Sequence, residues 1–363
     1  MGKSTRNQYQ PDVISPPGET LLETIEALGL TQAALAERTG RPLKTINEII
    51  KGKAAITPET ALQLERVLGV PAHFWVNREA YYRENLARQE EQRRLAEHVS
   101  WLDQFPVREM VKLGWIEAEG DEVRQVQVLL NFFGVASPER WRELWTMPNV
   151  AFRKSLRFES DIGATSAWLR KGELDATHVD CGPFDANAFI EALEAVRKLT
   201  VKAPEEFEAR MQALCAKAGV AVVFVPELPK MRANGACRWL TQGKALIQLS
   251  LRYKTDDHLW FAFFHESGHI LRHGKKDFFI EAEEYARDPK EEEANRFAEE
   301  VLIPRKQLND FIAQGRKSVD AVVAFASELG IATGIVVGRL QYEGYLEHTH
   351  LNNLKRKLSW MNE

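Results

Sequence analysis

The stretch HLWFAFFHESGHILRH constrains this chain more than any other. Its length and apolar content predict a long buried helix from about Asp256 to His273. Inside it, His265 and His269 stand four residues apart, so one helix face carries both imidazoles and both can reach one metal ion. Glu266 follows the first histidine and projects beside that ion, where it can take a proton from bound water. Gly268 costs about 1 kcal/mol in a helix interior, which predicts close approach by another element. His258 and His273 flank the motif and read as surface or packing histidines rather than ligands.

A two-histidine site needs a third protein ligand and an open position for water. The segment KEEEANRFA from Lys290 to Ala298 offers acids about 22 residues downstream. Acids there also suit a plain helix N-terminus. However, Ala294, Phe297 and Ala298 give the helix an apolar face, and Glu291 can share a face with Ala294 and Asn295. In that arrangement Glu291 binds metal and Asn295 is placed to bond a ligand histidine. Two imidazoles and a carboxylate suit one zinc per chain, and also admit manganese or iron.

The rest of the chain is organised around this helix. Its 363 residues exceed one ordinary core and suffice for two or three domains. Residues 1–16 are polar and read as a flexible arm. Residues 83–97, RENLARQEEQRRLAE, carry both signs of charge and read as a solvated helical connector. Residues from Trp101 to about Ala176 are apolar, Trp-rich and helical in spacing, with a boundary near Gly182 and Pro183. The run GVAVVFVP, Gly219 to Pro226, reads as a strand, and Ala245 to Leu249 as a second short one. Helix, strand, strand, helix is an α+β order with a small sheet, not a βαβ series. Residues 319–341 form two helices around Gly330, which almost lack basic residues and so read as packing elements rather than a second DNA reader. The last stretch, KRKLSWMNE, reads as a surface end.

Near the N-terminus, GLTQAALAERTGRPLKTINEIIKGKAAITPETALQLERVLG has helix-turn-helix form. Thr31 caps a helix over Gln32 to Arg38, Gly40 makes the turn, and Pro42 opens a second helix that ends at Gly52. Thr57 and Pro58 open another, ending near Gly69. Leu35, Ile46 and Ile49 face the small core, and Ala36 sits where two helices cross. Lys44, Thr45, Asn47 and Glu48 lie on the outward side, which enters a major groove. Lys51 and Lys53 are placed for phosphates. Gln32, Lys44, Thr45, Asn47, Lys51 and Lys53 are therefore the candidate DNA contacts. The net charge of −4 excludes nonspecific coating of nucleic acid. Between Arg38 and Lys53, however, five basic residues face Glu48 alone, so the basic stripe is local. A small helical bundle used for dimerisation or protein contact is the alternative.

HESGH followed by EEEANRFAEEVLIP resembles the ImmA/IrrE family of metallopeptidases, over about residues 190–345. That family is gluzincin-like, with a later glutamate ligand in an E-x-x-A-N-x-F-A segment ending in a Leu/Ile-Pro pair. By position the resemblance implies His265, His269 and Glu291 as zinc ligands and Glu266 as the catalytic glutamate. It also implies a regulatory protein, often a repressor, as the substrate cut under stress. No matched residue marks the oxyanion stabiliser; Tyr253, Tyr285 and His273 stand unranked. Residues 17–78 resemble the HigA-like branch of the XRE helix-turn-helix family, which implies a homodimer on a double-stranded palindromic operator. Pro42 departs from the serine cap of many relatives.

The fold expected is thus multidomain and mainly α. A five-helix helix-turn-helix bundle occupies 17–82 and a connector 83–99. A helical middle region spans 100–182. A small-sheet, gluzincin-like α+β metallopeptidase domain with a C-terminal helical cap spans 183–350, followed by a tail at 351–363. One reading is a zinc peptidase tethered to a DNA-binding domain. The other is an antitoxin-type regulator whose peptidase-like domain senses a ligand or metal. The complete ligand set with its general base favours the first. No apolar run reaches the ~18–20 residues of a membrane span, and the opening residues hold no signal-like stretch. Three cysteines without CxxC spacing suggest neither disulfides nor a cysteine zinc site. A cytoplasmic protein with no membrane partner is expected.

Overall fold

The computed structural model describes residues 15–146, 161–274, 278–281, 288–315 and 317–360. Nearly all of the expected arm, and Tyr285, lie outside them. The chain divides into two compact units, Met1–His98 and Val99–Glu363.

The first unit is five helices: α1 (Pro17–Ala27), α2 (Gln32–Thr39), α3 (Leu43–Ile50), α4 (Pro58–Leu68) and α5 (Ala72–Ala96). Thr31 caps α2 by accepting the Ala34 N–H at 3.1 Å, and Gly40 closes it at φ 70°. A Cβ on Gly18 would lie 2.2 Å from the Ile49 carbonyl oxygen, so glycine lets α1 cross α3 closely. Leu21, Ile25, Leu35, Ile46, Ile49, Leu64 and Trp75 fill the core. The charged stretch at 83–97 was expected to be helical, and α5 runs unbroken through it to Ala96. No glycine or proline interrupts residues 72–96, and the pairs Glu79–Arg83 and Glu84–Arg88, one turn apart, support the helix.

The second unit opens with α6 (Val107–Lys112), α7 (Glu122–Phe133) and α8 (Pro138–Thr146). Then come α9 (Ile162–Thr177), α10 (Ala186–Arg197) and α11 (Pro204–Lys217). Four strands follow in the order β1-β3-β2-β4 across the sheet: β1 (Val220–Phe224), β2 (Gly235–Thr241), β3 (Lys244–Leu249) and β4 (Phe278–Glu281). β1 runs parallel to β3, and β2 is antiparallel to both β3 and β4. β1 and β3 match the two expected strands; β2 and β4 enlarge the sheet beyond them. Successive β1 residues alternate between two cores, Val220 and Val222 in one, Ala221 and Val223 in the other. That explains a continuous apolar run rather than an alternating one.

One face of the sheet is covered by α9, which the sequence reading placed in the middle region. Trp168 and Leu169 pack with Ala221, Val223 and Leu246, and Trp168 Nε1 donates to the Val225 carbonyl at 3.0 Å. The sheet therefore shares a core with residues on both sides of the expected boundary at 182. The other face receives α12 (Asp256–Arg272), which also packs on α13 (Pro289–Leu302) and on α16 (Thr333–Tyr342). α14 (Arg305–Ala313) and α15 (Val319–Leu329) complete the unit. Among the described residues no single helix is long and apolar enough to cross a membrane; the apolar pair α15 and α16 is bent by 111° and buries residues of both helices.

Within the expected surface end, the described residues 355–358 dock on the start of α12. Arg356 exchanges two hydrogen bonds with Asp256, each 3.0 Å, and Leu358 N–H donates to Lys254 at 2.9 Å. Lys355 pairs with Asp257 at 2.6 Å, and Leu358 is buried. Two buried aspartates at the start of α12 need such partners.

Candidate metal centre

The interior of α12 is buried from Leu259 through Ile270, apart from half-buried Phe261. At its centre, a Cβ on Gly268 would lie 3.2 Å from Ala294 Cα and 3.1 Å from Phe297 Cδ1. The missing side chain therefore lets α13 approach, as the helix-interior glycine predicts. That contact brings Glu291 to the histidines. Its Oε2 lies 3.1 Å from His265 Nε2 and 3.4 Å from His269 Nε2, and the two Nε2 atoms are 3.0 Å apart. Ligand atoms of the three residues all fall within 4.8 Å of one another, a group that could hold a metal ion.

Each imidazole is also held from behind. Asn295 Oδ1 lies 2.9 Å from His265 Nδ1. His273 Nδ1 lies 2.9 Å from His269 Nδ1. The Phe279 ring stacks on His269 at 3.9 Å between centroids. Burial pushes His269 down to about 4, keeping a lone pair free for metal at neutral pH. Burial opposes ionisation of Glu291, but its close contacts with the His265 and His269 imidazoles outweigh it and hold the carboxyl at about 2.

Glu266 is fully buried beside this group. Strand β2 passes beneath it: a Cβ on Gly235 would come within 3.0 Å of Glu266 Cγ and Oε1. Two positions along the strand, the buried Cys237 thiol is a near neighbour of the Glu266 carboxylate. Burial and the neighbouring carboxylate push that thiol well above its ordinary value, so it stays protonated. Sequence reasoning missed both Cys237 and the part His273 plays. The histidine's four-residue spacing from His269 was the available signal, whereas nothing marked Cys237 once β2 was not recognised. Tyr253 stacks on His258 at 4.1 Å, two turns before His265.

On the helix-turn-helix, Lys44, Lys51 and Lys53 are exposed, while Gln32, Thr45 and Asn47 are half-buried. Lys44 meets Glu48 at 3.8 Å. Arg41 is drawn off the expected stripe: its Nε donates to Gln63 at 2.6 Å, and it pairs with Glu59. Buried Glu79 on α5 accepts the Ile56 N–H at 3.1 Å and pairs with Arg83, whose Nη2 donates to the Gly52 carbonyl. The loop carrying Lys51 and Lys53 is therefore tied to α5.

Comparison with known proteins agrees with both regions. A helix-turn-helix family model matches residues 21–75, and the IrrE N-terminal-like domain matches residues 215–341. Virulence-associated protein I of Dichelobacter nodosus is 38% identical over 77 residues, 21% of this chain and 71% of that protein. The uncharacterized HTH-type transcriptional regulator YddM of Escherichia coli (strain K12) is 31% identical over 61 residues, 17% of this chain and 65% of its own length. Among solved structures, a HigA-family addiction module antidote protein from Coxiella burnetii is 27% identical with a TM-score of 0.22, covering 23% of this chain and 92% of that one. The Pseudomonas aeruginosa antitoxin HigA with higBA promoter is 26% identical with a TM-score of 0.22, covering 23% and 90%.

Proposed function

The chain belongs to the XRE-type helix-turn-helix family through residues 21–75 and to the IrrE/ImmA-like peptidase family through residues 215–341, and from that premise we propose that it is a cytoplasmic zinc metalloendopeptidase coupled to a DNA-binding domain. Its substrate is a regulatory protein such as a repressor, in a stress-response or toxin–antitoxin-type setting. The observation that carries this reading is the buried group His265, His269 and Glu291 with Glu266 beside it.

The donor set fits zinc: two imidazole nitrogens and one carboxylate oxygen lie within 4.8 Å of one another, and His265, His269 and Glu291 would hold the ion as the three protein ligands of a catalytic site do. Bound zinc supplies Lewis acidity that polarises a water and the scissile carbonyl. Glu266 receives the water's proton on a carboxylate oxygen and delivers it to the leaving amine. The side-chain-free Gly235 leaves room for that carboxylate against β2, with the Cys237 thiol nearby. In the other unit, Lys44, Thr45 and Asn47 read bases and Lys51 and Lys53 hold phosphates, with Gln32 at the start of α2. A homodimer on a double-stranded operator would raise the concentration of protease near a DNA-bound substrate.

The test is digestion of a proteome-derived peptide library by zinc-loaded wild type and by Glu266→Gln. Cleavage by the wild type alone supports the reading. Equal cleavage by both excludes the role of Glu266. No cleavage by a zinc-loaded wild type moves the weight to the sensor-type regulator.

A further inference from the structure

We infer that His273 is a positioning residue for the metal site: its Nδ1 accepts a hydrogen bond from His269 Nδ1–H and so holds His269 with Nε2 turned to the metal. The inference rests on the zinc reading above and extends it to a residue that reading does not use.

The geometry assigns the protons. His269 Nε2 is the atom that faces Glu291 and His265 Nε2, so it must be bare to bind metal, and its proton sits on Nδ1. That Nδ1 lies 2.9 Å from His273 Nδ1. With a metal on Nε2 the neutral His269 ring keeps its one proton on Nδ1, so His273 Nδ1 is the acceptor and its own proton sits on Nε2. The Glu293 carboxylate lies 3.4 Å from His273 Nε2, an electrostatic contact that favours an N–H on that side. The His273 side chain is 5% exposed and lies 5.1 Å from the Phe279 ring that stacks on His269, so it has little room to turn away. Asn295 Oδ1 stands in the same relation to His265 Nδ1, also at 2.9 Å. Each histidine ligand thus has an acceptor behind it. Such partners fix ring orientation and strengthen the ligand, and their loss typically costs about 10–100-fold in metal affinity.

The experiment is zinc affinity of the full-length chain by competition with a chromogenic chelator, for wild type, His273→Ala and His273→Asn. An asparagine oxygen reaches about where the imidazole Nδ1 sits, so it can accept the same hydrogen bond. Thermal unfolding of the metal-free chains verifies that each variant folds. Alanine is expected to weaken zinc binding about 10–100-fold, and asparagine to recover most of the loss. Wild-type affinity in the alanine variant overturns the inference alone, as does equal weakening by alanine and asparagine. A wild type that takes up no zinc overturns the metal reading itself and this inference with it.

Discussion

The Nε2 atoms of His265 and His269 point to one place because each Nδ1 is already engaged at 2.9 Å, by Asn295 and by His273. This part of the site was half legible in the sequence. Four-residue spacing on a helix puts His265 with His269, and Glu291 with Asn295, on common faces whatever surrounds them. Which ring nitrogen faces which partner is set by the packing of α12 on α13 and on Phe279, so His273 looked like a packing residue. Glu266 sits against β2, and this yields a prediction. Gly235→Ala places a methyl 3.0 Å from Glu266 Cγ and Oε1, and so displaces the carboxylate without touching a metal ligand. Peptide cleavage should fall by about tenfold or more, since mispositioned catalytic groups carry such costs, while zinc content stays at the wild-type level. Wild-type cleavage would contradict the account.

Elements differ in how openly they announce themselves. β1 and β3 are short apolar runs. β2 carries Arg238, which is half-buried and paired with Glu173 on α9, so its sequence resembles a loop until that partner is known. The close crossing of α12 and α13 was signalled by Gly268 alone. Gly268→Ala should regain about 1 kcal/mol of helix propensity but lose about 1–3 kcal/mol to overpacking, because Ala294 Cα is backbone and must move with its helix. A lower urea midpoint and weaker zinc binding are expected; unchanged values in both would count against the packing argument. The start of α12 holds a pH-dependent cost. Burial, helped by the charge of Asp257, raises Asp256 to about 6 from 3.8, against a hydrogen bond from Arg356. Below about pH 4 the carboxyl is protonated in both folded and unfolded chains. Between there and pH 6 the unfolded chain ionises first, so folding becomes progressively less favourable, by up to about 3 kcal/mol once both are ionised. Asp256→Asn should therefore be the more stable chain at pH 8, with the gap closing toward pH 4. A gap that widens on acidification would reverse the sign.

The whole molecule combines two separable chemistries. The two compact units, Met1–His98 and Val99–Glu363, carry the basic loop and the metal ligands respectively. Long-range packing was the least legible level. Neither the cover that α9 gives the sheet nor the docking of Leu358 follows from local pattern, because both depend on partners far away in the chain. Separability predicts that the full-length double variant Lys51→Ala, Lys53→Ala binds DNA more weakly and lowers the salt slope by about 2, while zinc content and cleavage persist. A gel-shift titration over several salt concentrations measures the first part; an unchanged slope would place the phosphate contacts elsewhere. The central claim is that His265, His269 and Glu291 hold zinc. Elemental analysis of purified wild type beside His265→Ala tests it most directly. About one zinc per chain is expected, lost in the variant. No metal in either protein, even after zinc is supplied again, would contradict it.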